Sequence, residues 1–161
     1  MKVLTAIGLV LLSPLPALAN CIPPWKTHFA CSIPEQNARA EFCRIADTDA
    51  HPDKNEGYYT YSVGTEPTEL YFETDSIWFS TKDTDINHPT DLTMAMGYAR
   101  DKWVYAFTIT EDSREASGVR DAEVRVYSST DDFTNDTKDN EVTKLYCDAS
   151  TILADLNSIA P

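Results

Sequence analysis

The sequence predicts an all-β domain, a single antiparallel β-barrel or sandwich of about eight strands with room for a short C-terminal helix. Three observations lead there. Runs of aromatic and β-branched residues alternate in polarity with the period of two that a half-buried strand shows. Pro, Gly, Asn and Asp punctuate these runs about every eight to fifteen residues. Almost no stretch before the C-terminal tail repeats its apolar residues at helical spacing.

The chain opens with Lys2, an apolar run from Val3 to Leu12 and the small-residue end Ala17-Leu18-Ala19. This is the order of a secretory signal peptide over residues 1–19, with the mature protein starting at Asn20. Leu18-Ala19-Asn20-Cys21 also approximates a lipoprotein box, so acylation at Cys21 is the alternative anchor. No later run approaches the roughly 20 apolar residues of a transmembrane helix. The expected location is therefore the bacterial periplasm or the medium. Residues 20–161 form one domain, since 142 residues bury one core but not two.

Lys2 leaves with the signal peptide, so 12 of the 13 Lys and Arg face 26 carboxylates and the mature net charge is −14. That balance repels nucleic-acid phosphates and anionic headgroups and leaves a basic protein as the attracted partner. Four cysteines in an exported chain, Cys21, Cys31, Cys43 and Cys147, imply two disulfides, because no pair has the Cys-x-x-Cys spacing of a metal site. Three pairings are open. Cys31 with Cys43 and Cys21 with Cys147 would staple a hairpin and tie the chain ends; Cys31 with Cys147 would join the first strand to the last.

Taken in order, Ile22-Pro23-Pro24-Trp25 is an extended arm, because successive prolines exclude helix. His28 to Ile45 is a hairpin turning at Pro34-Glu35-Gln36-Asn37, with His28 on the strand surface. Residues 47–57 are a polar loop. Tyr58 to Gly64 is a strand with Tyr59, Tyr61 and Val63 on one face and Tyr58, Thr60 and Ser62 on the other. Residues 69–72 and 76–79 are two strands, or one broken at Thr74-Asp75. After an acidic loop at 83–91, Leu92 to Tyr98 and Trp103 to Thr110 are strands about a turn at 99–102. The second is central, with Trp103, Tyr105, Phe107 and Ile109 opposing Val104, Ala106, Thr108 and Thr110. Val119 to Ser128 and Glu141 to Cys147 are further strands. Ser129 to Asn140 is a loop, and Ser150 to Asn157 a short helix capped by Ser150.

Chemistry-bearing patterns are sparse. The bases available to a nucleophile are His28, His51 and His88, none beside a Gly-x-Ser-x-Gly turn, so the chain reads as a non-enzyme without a cofactor. Asp47-Thr-Asp49 with His51 is echoed by Asp83-Thr-Asp85 with His88. Brought together, these residues would supply carboxylate and imidazole ligands to a metal, or the groups of a hydrolase, although they lack the turn Gly and closing Glu of a calcium loop. The eight tyrosines and three tryptophans supply either core or the lining of a ligand cavity.

Phe29-x-Cys31, Phe42-Cys43-Arg44, Tyr59-x-Tyr61-x-x-Gly64 with Pro67-x-Glu69-Leu70, Trp103-x-Tyr105, Gly118-Val119 and Leu145-x-Cys147 together resemble a set of small exported bacterial β-proteins of unassigned activity. More loosely, the layout resembles the bacterial inhibitors of c-type lysozyme, eight-stranded barrels that place a Ser-Gly-x-Arg/Lys-Tyr loop in the enzyme cleft. Ser117-Gly118-Val119-Arg120 matches the start of that motif, and Asp121 stands where Tyr is expected. The resemblance implies that Ser117 and Arg120 bind a basic lysozyme. The expected function is thus a monomeric, exported, disulfide-stabilised binding protein. Lysozyme inhibition and a hydrolase or metal-binding role for the acidic loops are the alternatives.

Overall fold

The computed structural model describes residues 21–45, 56–64, 68–82, 91–112, 119–135 and 140–155. The described residues form ten strands: β1 (Trp25–Ile33), β2 (Ala38–Ile45), β3 (Gly57–Val63), β4 (Leu70–Thr74), β5 (Ile77–Lys82), β6 (Asp91–Arg100), β7 (Trp103–Asp112), β8 (Val119–Tyr127), β9 (Glu141–Tyr146) and β10 (Leu153–Ala154). One helix, α1 (Thr130–Asn135), lies between β8 and β9. All ladders are antiparallel, in two five-stranded sheets ordered β10-β1-β2-β3-β4 and β5-β6-β7-β8-β9. Within each sheet successive strands are neighbours, and the last strand returns beside the first.

The sandwich form of the expected fold is the one observed; among the described residues no ladder closes a barrel. The chain changes sheets at Asp75-Ser76. There Thr74 Oγ1 accepts from the Ser76 amide at 3.0 Å, and Ser76 O, just before β5, already accepts from the Ala99 amide of β6. The break expected at Thr74-Asp75 is thus a crossover.

The core lies between the sheets. Phe29, Cys31, Ile33, Ala40, Phe42, Tyr59 and Phe72 of the first sheet meet Ile77, Met96, Tyr98, Phe107, Ile109 and Val124 of the second. Phe29 stacks on Phe107 with ring centroids 4.6 Å apart, and Phe42 meets both Phe107 and Tyr98 edge-on. β7 is central, as its alternation predicts. Phe107 and Ile109 enter this core while Val104 and Ala106 pack on the other side of the sheet.

That other side is covered by α1, in a segment expected to be loop. Ser129 Oγ accepts from the Asp132 amide, and the Asp132 carboxylate accepts from the Ser128 and Ser129 hydroxyls, an arrangement that starts a helix. Phe133 then packs on Tyr127 above Gly97. A Cβ on Gly97 would lie 2.5 Å from Val104 Cγ1 and 3.2 Å from the Phe133 ring, so only glycine admits this packing.

The tail departs from expectation too. Where a helix over 150–157 is expected, the described part, which ends at residue 155, forms a single 3₁₀ turn at Ala149–Thr151, held by Asp148 accepting from the Ser150 amide, and then β10; residues 156–157 lie outside the described residues. Cys147 is bonded to Cys31, which brings the tail alongside β1. The Asp148 amide donates to Ser32 O, the Ser32 amide to Thr151 Oγ1, and the Asp155 amide to His28 O. The unpaired edge of β1 therefore captures a segment whose local pattern favours helix.

His28 is also corrected, from surface to interior. The register of β1 against β2 slips between Thr27 and Phe29, and this bulge leaves His28 4 % exposed with Nδ1 3.4 Å from Met96 Sδ. Burial, then the neighbouring Arg44 cation, depress its pKa from 6.5 to about 4; Asp155 opposes them.

Candidate functional site

The outer face of the first sheet carries a concavity. With a period of two, Arg39, Glu41 and Cys43 of β2, Tyr58, Thr60 and Ser62 of β3, and Tyr71 and Glu73 of β4 project to that side. Register sets the rows: Glu41 opposes Thr60 and Thr60 opposes Tyr71, while Cys43 opposes Tyr58 and Tyr58 opposes Glu73. The split of β3 into Tyr59, Tyr61 and Val63 against Tyr58, Thr60 and Ser62 is the one its sequence predicts. The first set packs on the core; the second lines the concavity.

The arm before β1 builds one wall. Cys21 is disulfide-bonded to Cys43, with Cα atoms 5.8 Å apart, and accepts from Thr27 Oγ1. The Trp25 amide closes a turn on Ile22 O across Pro23-Pro24. The Ile22 amide donates to Tyr58 Oη at 3.1 Å. Trp25 meets Tyr58 edge-on at 5.3 Å, and Tyr58 is tilted 41° against Tyr71 at 5.5 Å. The disulfide, Trp25 and Tyr58 thus form a small apolar cluster of their own that fixes the wall.

The resulting hollow has a volume of about 380 Å³, within the range of small-ligand sites. Arg39 Nε donates to Glu41 Oε1 at 2.9 Å, so the two charges on its floor offset one another. Thr60, Ser62 and Thr68 add hydroxyls. Tyr71 is half exposed, and its phenol donates to the Glu73 carboxylate at 2.5 Å. That bond, with partial burial and the carboxylate's charge, pushes its pKa up to about 12, so it is a neutral donor at ordinary pH. Trp25 separates this hollow from a second of about 430 Å³ whose lining includes Glu56, Glu73 and Asp75.

No family model, curated protein or solved structure matches the chain. The site therefore rests on geometry alone.

The residues singled out in the sequence fall elsewhere. Ser117, Asp47, Asp49, His51, Asp83, Asp85 and His88 lie outside the described residues. Arg120 is the extra residue of a bulge at the start of β8, where Asp121 pairs with Thr110 and Val119 with Glu111, so its backbone belongs to the opposite sheet from the hollow. Among the described residues no group of three or more His, Cys, Asp or Glu is gathered in the way a metal site requires, and no helix is long and apolar enough to cross a membrane.

The four cysteines form the two disulfides expected, and the open pairing resolves to Cys21–Cys43 and Cys31–Cys147. Cys31 packs in the core between the sheets while Cys43 packs on the outer face beneath the arm. Two cysteines on opposite faces of one hairpin cannot be joined.

Sequence reasoning missed the hollow as a unit. Its signal was available in Tyr58, an aromatic ring on the outward face it shares with Thr60 and Ser62, next to a Pro-Pro arm carrying a cysteine and Trp25.

Proposed function

We propose that this chain is an exported binding protein whose ligand seat is the hollow on the outer face of the first sheet, and that it holds its ligand without transforming it. One observation carries the reading: aromatic side chains from the start of β1, from β3 and from β4 converge on a self-neutralised Arg39–Glu41 pair, in a cleft whose wall is covalently stapled by Cys21–Cys43. Rigid walls lower the ordering cost of binding, which is how a small site reaches useful affinity. The two disulfides favour an oxidising compartment, as the leader-like first 19 residues do. The groups gathered in the hollow suit recognition: Glu41 is engaged by Arg39, and among the described residues no imidazole or thiol lines the cleft beside the hydroxyls.

The test is a chemical-shift map of the isotope-labelled mature protein, titrated separately with a cocktail of small polar and aromatic fragments and with a c-type lysozyme. Fragment-induced shifts should gather on the Trp25 indole and the amides of β2, β3 and β4. Shifts gathered elsewhere overturn the assignment. Stoichiometric lysozyme binding centred on residues 117–121 would move the seat to the Ser117–Arg120 loop.

A further inference from the structure

The make-up of the hollow narrows its ligand. Three aromatic rings, Trp25, Tyr58 and Tyr71, stand over a floor of hydroxyls and one ion pair. A purely apolar ligand would bury that ion pair and those hydroxyls without replacing the hydrogen bonds they make to water, which disfavours it. An anionic ligand would find Arg39, the one cation among the described residues of the hollow, already engaged by Glu41, with Glu73 bonded to Tyr71 at its rim and Glu56 and Asp75 beyond Trp25. A chain of net charge −13 adds a long-range repulsion. A cationic ligand would be drawn to the same carboxylates, but the hydroxyls and guanidinium on the floor are poor company for it.

The ligand that satisfies every wall is neutral, carries many hydroxyls and has at least one flat C–H face. A pyranose has these properties. Its hydroxyls both donate and accept, as a fixed guanidinium–carboxylate pair demands, since the guanidinium only donates and the carboxylate only accepts. Its axial C–H groups lie against the negative face of an aromatic ring. Tyr71, half exposed and held by Glu73, is the ring best placed to present such a face. We infer that the hollow binds the end or a short segment of a neutral saccharide chain, with Tyr71 as the stacking platform and the Arg39–Glu41 pair reading its hydroxyls. This rests on the seat proposed above and names its ligand class.

The experiment uses the mature, oxidised protein and two neutral probes with equatorial hydroxyls, cellotetraose and chitotetraose, against an anionic tetragalacturonate, read by titration calorimetry and by shifts at the Trp25 indole. Saturable binding of a neutral probe in the micromolar to millimolar range is expected, with none of the uronate. Tyr71→Ala should weaken binding roughly tenfold or more, while Tyr71→Phe, which keeps the ring and loses the Glu73 bond, stays within about threefold. Because Tyr71 is half exposed, both variants should keep the melting temperature, which is measured alongside. If no neutral saccharide binds while the fragment cocktail still shifts Trp25, the ligand class is wrong and the seat stands. If neither registers at Trp25, both readings fall. Saccharide binding indifferent to Tyr71→Ala would overturn the stacking role.

Discussion

At 4 % exposure and against Met96 Sδ, the His28 imidazole is held in its neutral form by burial and by the Arg44 cation, although Asp155 pulls the other way. The consequence for stability has a definite sign. The folded pKa, about 4, lies below the ordinary 6.5, so the unfolded chain takes up this proton more readily than the native one. The contribution is fully present above pH 6.5, declines as pH falls through the window from 6.5 to 4, and levels off below. Between pH 7.5 and 4.5 it removes about 2–3 kcal/mol. His28→Asn, close in size and without a proton to take up here, should lose that much less than the wild type across the same interval in urea unfolding. Parallel curves would show that the fold does not keep this imidazole neutral. The same residue shows where local reading stops. The alternation that placed Tyr58, Thr60 and Ser62 on one face and Tyr59 and Tyr61 on the other was legible because β3 pairs with both neighbours without a slip. In β1 the slip between Thr27 and Phe29 inverts the parity of everything before Phe29, and no residue there announces it.

Among the elements, the arm at 21–24 has the least secondary structure and the largest part in the site. It touches the sheet through the Cys21–Cys43 bond and the Ile22 amide on Tyr58 Oη, and it leads into Trp25 at the start of β1, whose ring meets Tyr58. Ile22 itself is largely exposed, so the arm buries too little to hold its place by packing alone. Cys21→Ala with Cys43→Ala should therefore cost about 3 kcal/mol on the chain-entropy view of a 22-residue separation and leave both sheets folded. The Trp25 emission should move to the red, and the fragment-induced shifts at β3 and β4 should disappear. A variant that keeps the wild-type emission and ligand shifts would show that the arm is positioned by its turn and not by its bond. That residues 22–25 are not helical was legible in Pro23-Pro24, but the expected extended arm is a turn, closed by the Trp25 amide on Ile22 O, and its covalent partner was not legible either. Pairing depends on which face Cys43 occupies, and face depends on register. α1 was legible in retrospect from Ser129-x-x-Asp132 ahead of Phe133; what hid it was its six-residue length, too short for helical periodicity to show. β10 was not legible at all, because only the tertiary pull of Cys147 and the bonding groups of Ser32 and His28 make that tail a strand.

Across the whole molecule, the meander leaves the two chain ends of the fold at one sheet edge, and Cys31–Cys147 joins them over a separation of 116 residues. Cys31 of β1 is buried in the core between the sheets and Cys147, partly buried, packs against that core with its amide on Ala122 O of β8, so the bond also ties the sheet that bears the hollow to the sheet beneath it. A loop of that length restricts the unfolded chain by about 5 kcal/mol, against about 3 for the arm. Since whole domains are stable by about 5–15 kcal/mol, its removal consumes a large share of the total. Cys31→Ala with Cys147→Ala should accordingly lower the urea midpoint more than the arm variant does. The loss should also have a location. Ser32 exchanges both of its backbone groups with the tail, its amide to Thr151 Oγ1 and its carbonyl from the Asp148 amide. Hydrogen exchange at the Ser32 and Asp148 amides should accelerate in this variant, well beyond the rise at the β6–β7 ladder, as the tail detaches from β1 before the sheets part. In the arm variant those two amides should stay as protected as the rest of their sheet. Uniform acceleration across both sheets in the Cys31 and Cys147 variant would mean instead that the tail and the sandwich open as one unit, with the disulfide acting on global unfolding alone.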